Sequence, residues 1–217
     1  MKNQNISRVL SLIRKEVKSW ETPVLTRIGH NRDPFRVLIS CILSLRTRDE
    51  ITKISSTRLF YLATSPQDMR ELPASTIEKA IYPVAFYKMK SKAILQICQE
   101  LTEKYGSRVP NKIDELLKLR GVGRKTANLT MILGHGKLGV CVDTHVHRVV
   151  NRWGDVKTRN PDQTEMALRE KLPKRYWTEL NNLLVAFGQN CCKPLSPHCT
   201  SCFIRNYCSR CGVFRSR

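Results

Sequence analysis

The stretch KLRGVGRKTA, residues 118–127, is the part of the sequence that decides the fold. Two glycines one residue apart predict a turn between two short helices, because glycine accepts positive φ angles and allows another backbone to approach closely. The second helix is expected to begin directly after Gly123, where its free N–H groups and its dipole favour a phosphate. An ordinary turn between helices is the alternative, and the adjacent cations Arg124 and Lys125 favour phosphate binding.

Lys125 has two possible roles. As an isolated lysine it is expected to be one more phosphate contact. An unprotonated lysine amine can also attack an electrophilic sugar carbon and form a Schiff base. The start of the helix, the neighbouring charge of Arg124 and desolvation by a bound substrate all favour that unprotonated form.

Helix signals dominate the rest of the chain, which predicts an all-α fold. Asp33-Pro34 and Ser65-Pro66 each place an N-cap before a proline at the first helical position. Ser75–Glu78 has the pattern of a capping box, and Gly106 is expected to end a helix with an apolar stripe. Nine or ten short helices are expected in total. Those after Gly106 are predicted over 112–119, 124–133, 144–153, 162–171 and 176–187.

The composition is strongly basic. The 217 residues include 38 Lys+Arg against 18 Asp+Glu, which gives a formal net charge of +20. Such an excess favours a polyanionic partner, and nucleic acid is a better candidate than an anionic membrane surface. No apolar stretch approaches the roughly 18–20 residues of a membrane-spanning helix, and the N-terminus lacks the apolar region of a signal peptide. The chain is therefore expected to be cytoplasmic, associated with the nucleoid through DNA, and to have no membrane partner.

Four of the nine cysteines share the spacing C-x6-C-x2-C-x5-C near the end of the chain: Cys192, Cys199, Cys202 and Cys208. Four thiolates on one loop can complete a tetrahedral zinc site or hold a [4Fe–4S] cube. Disulfides fit poorly with a chain that lacks an export signal. The spacing favours iron–sulfur but leaves zinc possible, and either group would have a structural role. Cys191 and Cys211 flank the four and are predicted not to be ligands.

The stretch VCVDTHVHRV, residues 140–149, places Asp143 between a short apolar run and a helix. Asp143 is expected to be the N-cap of that helix. A carboxylate held in this way could also stabilise a positively charged sugar or activate water, as carboxylates do in glycosidic cleavage. The two roles are compatible. His145 and His147 are two residues apart and therefore face different sides of a helix, so neither is predicted to bind metal.

Three motifs together resemble the endonuclease III family of DNA glycosylases, within the helix–hairpin–helix superfamily: LRGVGRKTA (119–127), VDTHVHRV (142–149) and the cysteine tail. The similarity runs over essentially the whole chain. It implies two helical domains that flank a DNA-binding cleft. A six-helix domain, 27–137, contains the hairpin. A four-helix domain, 1–26 plus 138–217, holds a [4Fe–4S] cluster on its C-terminal loop through the four cysteines.

The resemblance also implies an activity in base excision repair. A monomer would bind double-stranded DNA, flip out a damaged, oxidised pyrimidine and remove it. Lys125 would attack C1′ with the assistance of Asp143. The resulting Schiff base would allow β-elimination, which cleaves the strand 3′ to the lesion. Family members that only remove bases carry another residue at the lysine position.

Implied DNA contacts lie in two segments. The first is the hairpin: Arg120, Gly121, Val122, Gly123 and Arg124. The second is ILSLRTRD, residues 42–49, which corresponds to the family's ILS-x-Q-x-x-D segment. Here Arg46 replaces the glutamine that fills the space left by the flipped base. The hypothesis is that Arg46 fills this space, with Leu45 as a wedge.

Two alternatives remain at this level. One is a monofunctional glycosylase of the same fold, specific for mismatched thymine or adenine. The other is a non-catalytic DNA-binding module that carries an iron–sulfur group. The presence of both Lys125 and Asp143 disfavours each of them.

Overall fold

The computed structural model describes the backbone of residues 3–217 and the side chains of residues 6–217. All regular structure in that part is helical, with no β-strand, which confirms the all-α prediction. None of the described helices is long and apolar enough to cross a membrane. The α-helices are α1 Asn3–Val17, α2 Val24–Ile28, α3 Pro34–Ser44, α4 Asp49–Leu62, α5 Pro66–Arg70, α6 Ala74–Ile81, α7 Tyr87–Tyr105, α8 Ile113–Leu116, α9 Arg124–Leu129, α10 Thr144–Trp153, α11 Pro161–Lys171 and α12 Trp177–Asn190.

The described residues form two compact units, each with its own apolar core. Unit 1 comprises Met1–Pro23 and Val140–Arg217, and unit 2 comprises Val24–Gly139. The helices of unit 1 surround Trp153 and Phe187, both of which are at most 1% exposed. The sequence-based boundaries, 27–137 against 1–26 plus 138–217, stay a prediction, and residues 1 and 2 lie outside the described part.

The predicted caps of three helices are confirmed. The Asp33 carboxylate accepts hydrogen bonds from the first turn of α3, and Ser65 Oγ accepts one from the N–H of Asp68 in α5. Gly106 ends α7 with a φ of +56°. Such caps depend only on neighbouring residues, and the sequence therefore predicts them well.

The capping box predicted at Ser75–Glu78 is wrong. Helix α6 begins at Ala74, and Pro73 precedes it without a side-chain cap. The N–H groups of Thr76 and Ile77 donate to Pro73 O at 2.9 and 3.2 Å. The backbone thus starts the helix earlier and places Ser75 inside the first turn.

The described residues contain twelve α-helices, more than the nine or ten that the sequence predicts. Helix α2 has five residues, too few to show a period. Helix α4 buries Thr52, Ser55 and Ser56 beside two apolar residues. Hydroxyl side chains therefore replace much of the apolar stripe from which a sequence pattern would identify this helix.

Two predicted helices differ in extent from the observed ones. The helix expected over 112–119 is limited to α8. The helix expected over 124–133 ends at Leu129 and continues as a π-helical turn, Thr130–Gly134. This turn lies against the start of α3, and a Cβ on Gly134 would stand 2.7 Å from Pro34 Cα. Only glycine permits that approach.

Candidate functional site

The glycine turn joins α8 to α9 within unit 2. Gly121 has a φ of +78°, in the left-handed region that favours glycine. The N–H of Val122 donates to Leu119 O at 3.1 Å, and both of these residues are buried in the unit 2 core. Gly121 and Gly123 are exposed. The core thus anchors the apolar residues of the turn and leaves both glycines accessible to solvent.

Gly123 is the N-cap of α9 and has an extended backbone. A Cβ built on Gly123 would meet no atom within 4 Å. The first N–H groups of a helix lack carbonyl partners within it, so they are suited to an anion. Arg120 is exposed and Arg124 half-buried on either side of the turn. This geometry is compatible with the predicted phosphate contact.

Lys125 lies in the first turn of α9 and is half-buried. Helix α9 packs against α3, which carries Cys41. Burial raises the pKa of the Cys41 thiol to about 12, and the positive charge of Lys125 acts against that rise. Lys125 therefore lies on a helix that packs against the apolar helix α3, and its side chain keeps partial access to solvent.

Asp143 is the N-cap of α10 in unit 1, as the sequence predicts. One carboxylate oxygen, Oδ1, accepts hydrogen bonds from the N–H groups of His145 and Val146, each at 2.9 Å. The residue is 9% exposed. These two bonds orient the carboxylate at the start of the helix, where the dipole favours negative charge.

The ILSLRTRD segment continues from the end of α3. Leu45 is half-buried against the unit 2 core, whereas Arg46 is exposed with a φ of +55°. The guanidinium carbon of Arg46 lies 5.0 Å from the centre of the Phe86 ring. Phe86 is itself 53% exposed, with a φ of +59°. The structure thus brings together a cation and an exposed aromatic ring that are forty residues apart.

Sequence reasoning missed Phe86. A single phenylalanine before a helix shows no period that separates an exposed ring from a core residue. The two positive φ angles are likewise invisible in the sequence, because neither residue is a glycine.

The four spaced cysteines line one cavity in unit 1. Trp153, Phe187 and Ile204 form part of its apolar wall. Cys191 lines the same cavity, whereas Cys211 is exposed. The structure therefore brings all four predicted ligands together with a fifth thiol, and the prediction that Cys191 is not a ligand stays a prediction.

The sulfur atoms of this cavity differ in their environments. A hydrogen bond from Cys191 lowers the pKa of Cys202 to about 7, and the same bond with burial raises the pKa of Cys191. Burial raises the pKa of Cys208. Cys208 Sγ also accepts a hydrogen bond from the N–H of Arg210 at 3.4 Å.

Two arginines of α10 hold the loop that begins at Cys192. Arg148 donates to Gly188 O at 3.0 Å and to Cys192 O at 2.9 Å. Arg152 donates to Cys192 Sγ at 3.4 Å and to Lys193 O at 2.7 Å. The sequence contained a signal for this pair, since arginines four residues apart share one helix face.

The cavity also contains a polar atom without a hydrogen-bonding partner among the described residues. The Nε2 atom of His198 is buried and unpaired. His198, which lies in sequence between Cys192 and Cys199, lines the cavity. Within residues 6–217, no group of three or more His, Cys, Asp or Glu side chains is placed to hold a metal ion. Four thiols, nearby cations and an unpaired ring nitrogen nevertheless suit an anionic sulfur-rich group.

The two histidines of α10 have separate environments. His145 Nδ1 lies 3.1 Å from Arg148 Nη2, and His147 Nδ1 lies 2.7 Å from Thr164 Oγ1. Burial lowers the pKa of His147. Both rings take part in local hydrogen bonds, and the prediction that neither binds metal stays a prediction.

Comparison with known proteins places these features in a family. Residues 39–174 match the family described as "HhH-GPD superfamily base excision DNA repair protein". The chain is 48% identical over 176 residues to endonuclease III of Thermotoga maritima, covering 81% of this chain and 83% of that protein. It spans 58–63% of the length of similar proteins from vertebrates and a plant.

Solved structures agree with this relationship. A trapped endonuclease III–DNA covalent intermediate, an estranged-adenine complex, is 32% identical, with a TM-score of 0.86 and 97% of each chain covered. A thermostable thymine-DNA glycosylase is 26% identical, with a TM-score of 0.84, and the match covers 96% of this chain and 97% of that one.

Proposed function

The chain belongs to the endonuclease III family of the HhH-GPD superfamily, and we propose that this base excision repair glycosylase and AP lyase uses Lys125 as its nucleophile and Asp143 as the assisting carboxylate. The position of Lys125, in the first turn after an accessible glycine hairpin, is the observation that carries this assignment. A DNA backbone bound at Gly121 and Gly123 would lie close to its side chain.

The reaction follows from the chemistry of a lysine amine. The lone pair of Lys125 Nζ forms a bond to C1′ of a flipped nucleotide. The bond between C1′ and the nitrogen of the damaged base breaks, and the base leaves with the electron pair and takes up a proton. The C1′–O4′ bond then breaks as a double bond forms between C1′ and Nζ, which opens the sugar and gives a Schiff base, and O4′ takes up the proton that Nζ loses. Loss of a proton from C2′ then expels the 3′ phosphate, which cleaves the strand, and water releases the enzyme.

Asp143 would stabilise the positive charge that develops on the sugar as the base departs. Its two hydrogen bonds from backbone N–H groups orient the carboxylate in advance, so that little reorganisation is needed during the reaction. The same bonds explain why this residue is both an N-cap and a candidate for catalysis.

Double-stranded DNA is the proposed partner, bound by a monomer in the cytoplasm at oxidised pyrimidines and abasic sites. The net charge of +20 supplies the general attraction for phosphates. Arg46 and Phe86 form an exposed pair that can occupy the space left by a flipped base. Leu45 is half-buried, so the Phe86 ring is the more accessible wedge.

We further propose that Cys192, Cys199, Cys202 and Cys208 hold a [4Fe–4S] cluster. Their shared cavity, the cations Arg148 and Arg152, and the unpaired His198 Nε2 support this donor set. A [4Fe–4S] cluster supplies a compact cross-link between the four thiolates of this loop. The cluster would therefore stabilise the C-terminal loop of unit 1, a structural role.

A monofunctional mismatch glycosylase is the second candidate, because the thymine-DNA glycosylase structure has nearly the same fold. Such an enzyme needs no lysine nucleophile. Lys125 therefore favours the bifunctional reaction.

Borohydride trapping tests the proposal on duplexes that contain thymine glycol or an abasic site. Wild type and Lys118→Ala, which alters an exposed lysine of the same hairpin, should form a covalent adduct. Lys125→Ala should form none. Base release without an adduct in the wild type would support the monofunctional enzyme, and DNA binding without base release would support the non-catalytic module.

A further inference from the structure

Lys90 of α7 is a buried lysine that the reaction does not use. The residue is 8% exposed, and burial lowers its pKa to about 8. Its Nζ donates to Leu43 O at 2.8 Å and to Leu45 O at 2.6 Å, and it lies 3.3 Å from Thr47 Oγ1. Lysine is rarely buried without such partners, because desolvation of an ammonium group is costly.

The acceptors of Lys90 belong to the turn that carries Arg46. Leu43 lies in the last turn of α3, whose carbonyls have no partners further along the helix. Leu45 and Thr47 lie on either side of Arg46. An arginine with a φ of +55° is disfavoured by its Cβ, so surrounding bonds must hold this conformation.

The same contacts reach the turn that carries Phe86. Thr47 Oγ1 accepts a hydrogen bond from the N–H of Ala85 at 3.3 Å. The backbone N–H of Lys90 itself donates to Phe86 O at 3.0 Å. Lys90 thus contacts the Arg46 turn through its side chain and the Phe86 turn through its backbone, and Thr47 joins the two.

We propose that Lys90 is a positioning residue for damage recognition: its buried ammonium group holds the Arg46 turn against the Phe86 turn, so that the guanidinium and the ring are presented together to the DNA duplex. This rests on the proposed role of Arg46 in filling the space of the flipped base. Lys90 does not touch DNA, because its Nζ is occupied by protein oxygens.

A double-mutant cycle tests the proposal. Dissociation constants are measured for an abasic-analogue duplex and an undamaged duplex with wild type, Lys90→Met, Arg46→Ala and the double variant. Lys90→Met keeps the length of the side chain but removes its donor. It should lower the preference for the abasic analogue about tenfold, and the double variant should lose little more than Arg46→Ala alone. Lys92→Met, on the exposed side of the same helix, should retain the preference.

The chemical step provides a second measurement. At saturating enzyme, the single-turnover rate of Lys90→Met on an abasic site should stay within about twofold of wild type, since Lys90 does not touch the reacting atoms. If Lys90→Met does not fold, the same measurements are made on Thr47→Val, which removes the hydroxyl that links the two turns.

Two results would overturn the proposal. One is an unchanged preference for the abasic analogue in a folded variant, and the other is full additivity with Arg46→Ala. Lys125-dependent trapping by the wild type, measured in parallel, distinguishes failure of this inference from failure of the proposed function.

Discussion

At the scale of a single residue, Asp143 is a helix cap and the proposed catalytic carboxylate, and one substitution can separate the two roles. Asparagine caps a helix about as well as aspartate, so Asp143→Asn should change the free energy of unfolding by less than about 0.5 kcal/mol. The loss of negative charge should nevertheless slow base removal about a hundredfold. Thermal unfolding and single-turnover base release measure the two effects.

Asp33 offers a matched control for this change. Its carboxylate also accepts two backbone hydrogen bonds, from Phe35 and Arg36, but at the start of α3. Asp33→Asn should leave base release unchanged. If Asp143→Asn also retained the wild-type rate, Asp143 would be a helix cap only.

The residues that a sequence predicts well are those whose bonds are local. Asp33, Ser65, Gly106 and Asp143 act on backbone groups within a few positions of themselves. Lys90 and Phe86 do not, because their contacts lie about forty residues away in sequence. A buried lysine and an exposed phenylalanine also reverse the ordinary preferences of their side chains.

At the scale of elements, the hairpin predicts different outcomes for its two glycines. Gly123 has a φ of −93° and open space around its Cα, so Gly123→Ala should fold with unchanged stability. The added methyl group should obstruct the DNA backbone and weaken binding to damaged and undamaged duplexes alike, by about tenfold. Thermal unfolding and titration with both duplexes provide the measurements.

Gly121 should behave differently, because its φ of +78° is strained for any residue with a Cβ. Gly121→Ala should lower the free energy of unfolding by about 1 kcal/mol or more. Gly106→Ala is the control for a loss of stability caused by a positive φ alone, since Gly106 has a φ of +56° at the end of α7, outside the hairpin.

For Gly123→Ala, undiminished DNA binding would contradict a backbone contact at the hairpin.

The sequence predicted elements where an apolar stripe and a local cap coincided, as in α3 and α7. It missed α4 because hydroxyl side chains occupy much of its buried face. It misplaced the start of α6 because the carbonyl of Pro73, rather than a serine side chain, accepts the first bonds. Tertiary packing therefore decided the elements whose own residues carry a weak pattern.

At the scale of the whole molecule, the charge of +20 predicts a steep dependence of DNA binding on salt. Each cation that neutralises a phosphate contributes about −0.9 to the slope of log K against log salt concentration. Arg120→Ala should therefore make the slope less negative by about 0.9 on undamaged duplex. Binding measured at several salt concentrations gives the slope.

Arg70→Ala is the matched control. Arg70, the last residue of α5, already pairs with a carboxylate, since its Nε lies 2.8 Å from Glu71 Oε1. Its removal should leave the slope within error of wild type. An unchanged slope for Arg120→Ala would show that Arg120 does not neutralise a phosphate.

The sequence alone determined the helical class, the glycine turn and the cysteine spacing, and it predicts Lys125 and Asp143 as the reacting groups. Each of these depends on residue types at short separations, where local geometry leaves few alternatives. Only the tertiary structure decided that Arg148 and Arg152 hold the cysteine loop and that Lys90 joins the turns of Arg46 and Phe86. Such contacts depend on which distant backbone atoms approach a side chain, and packing of the complete core sets those distances.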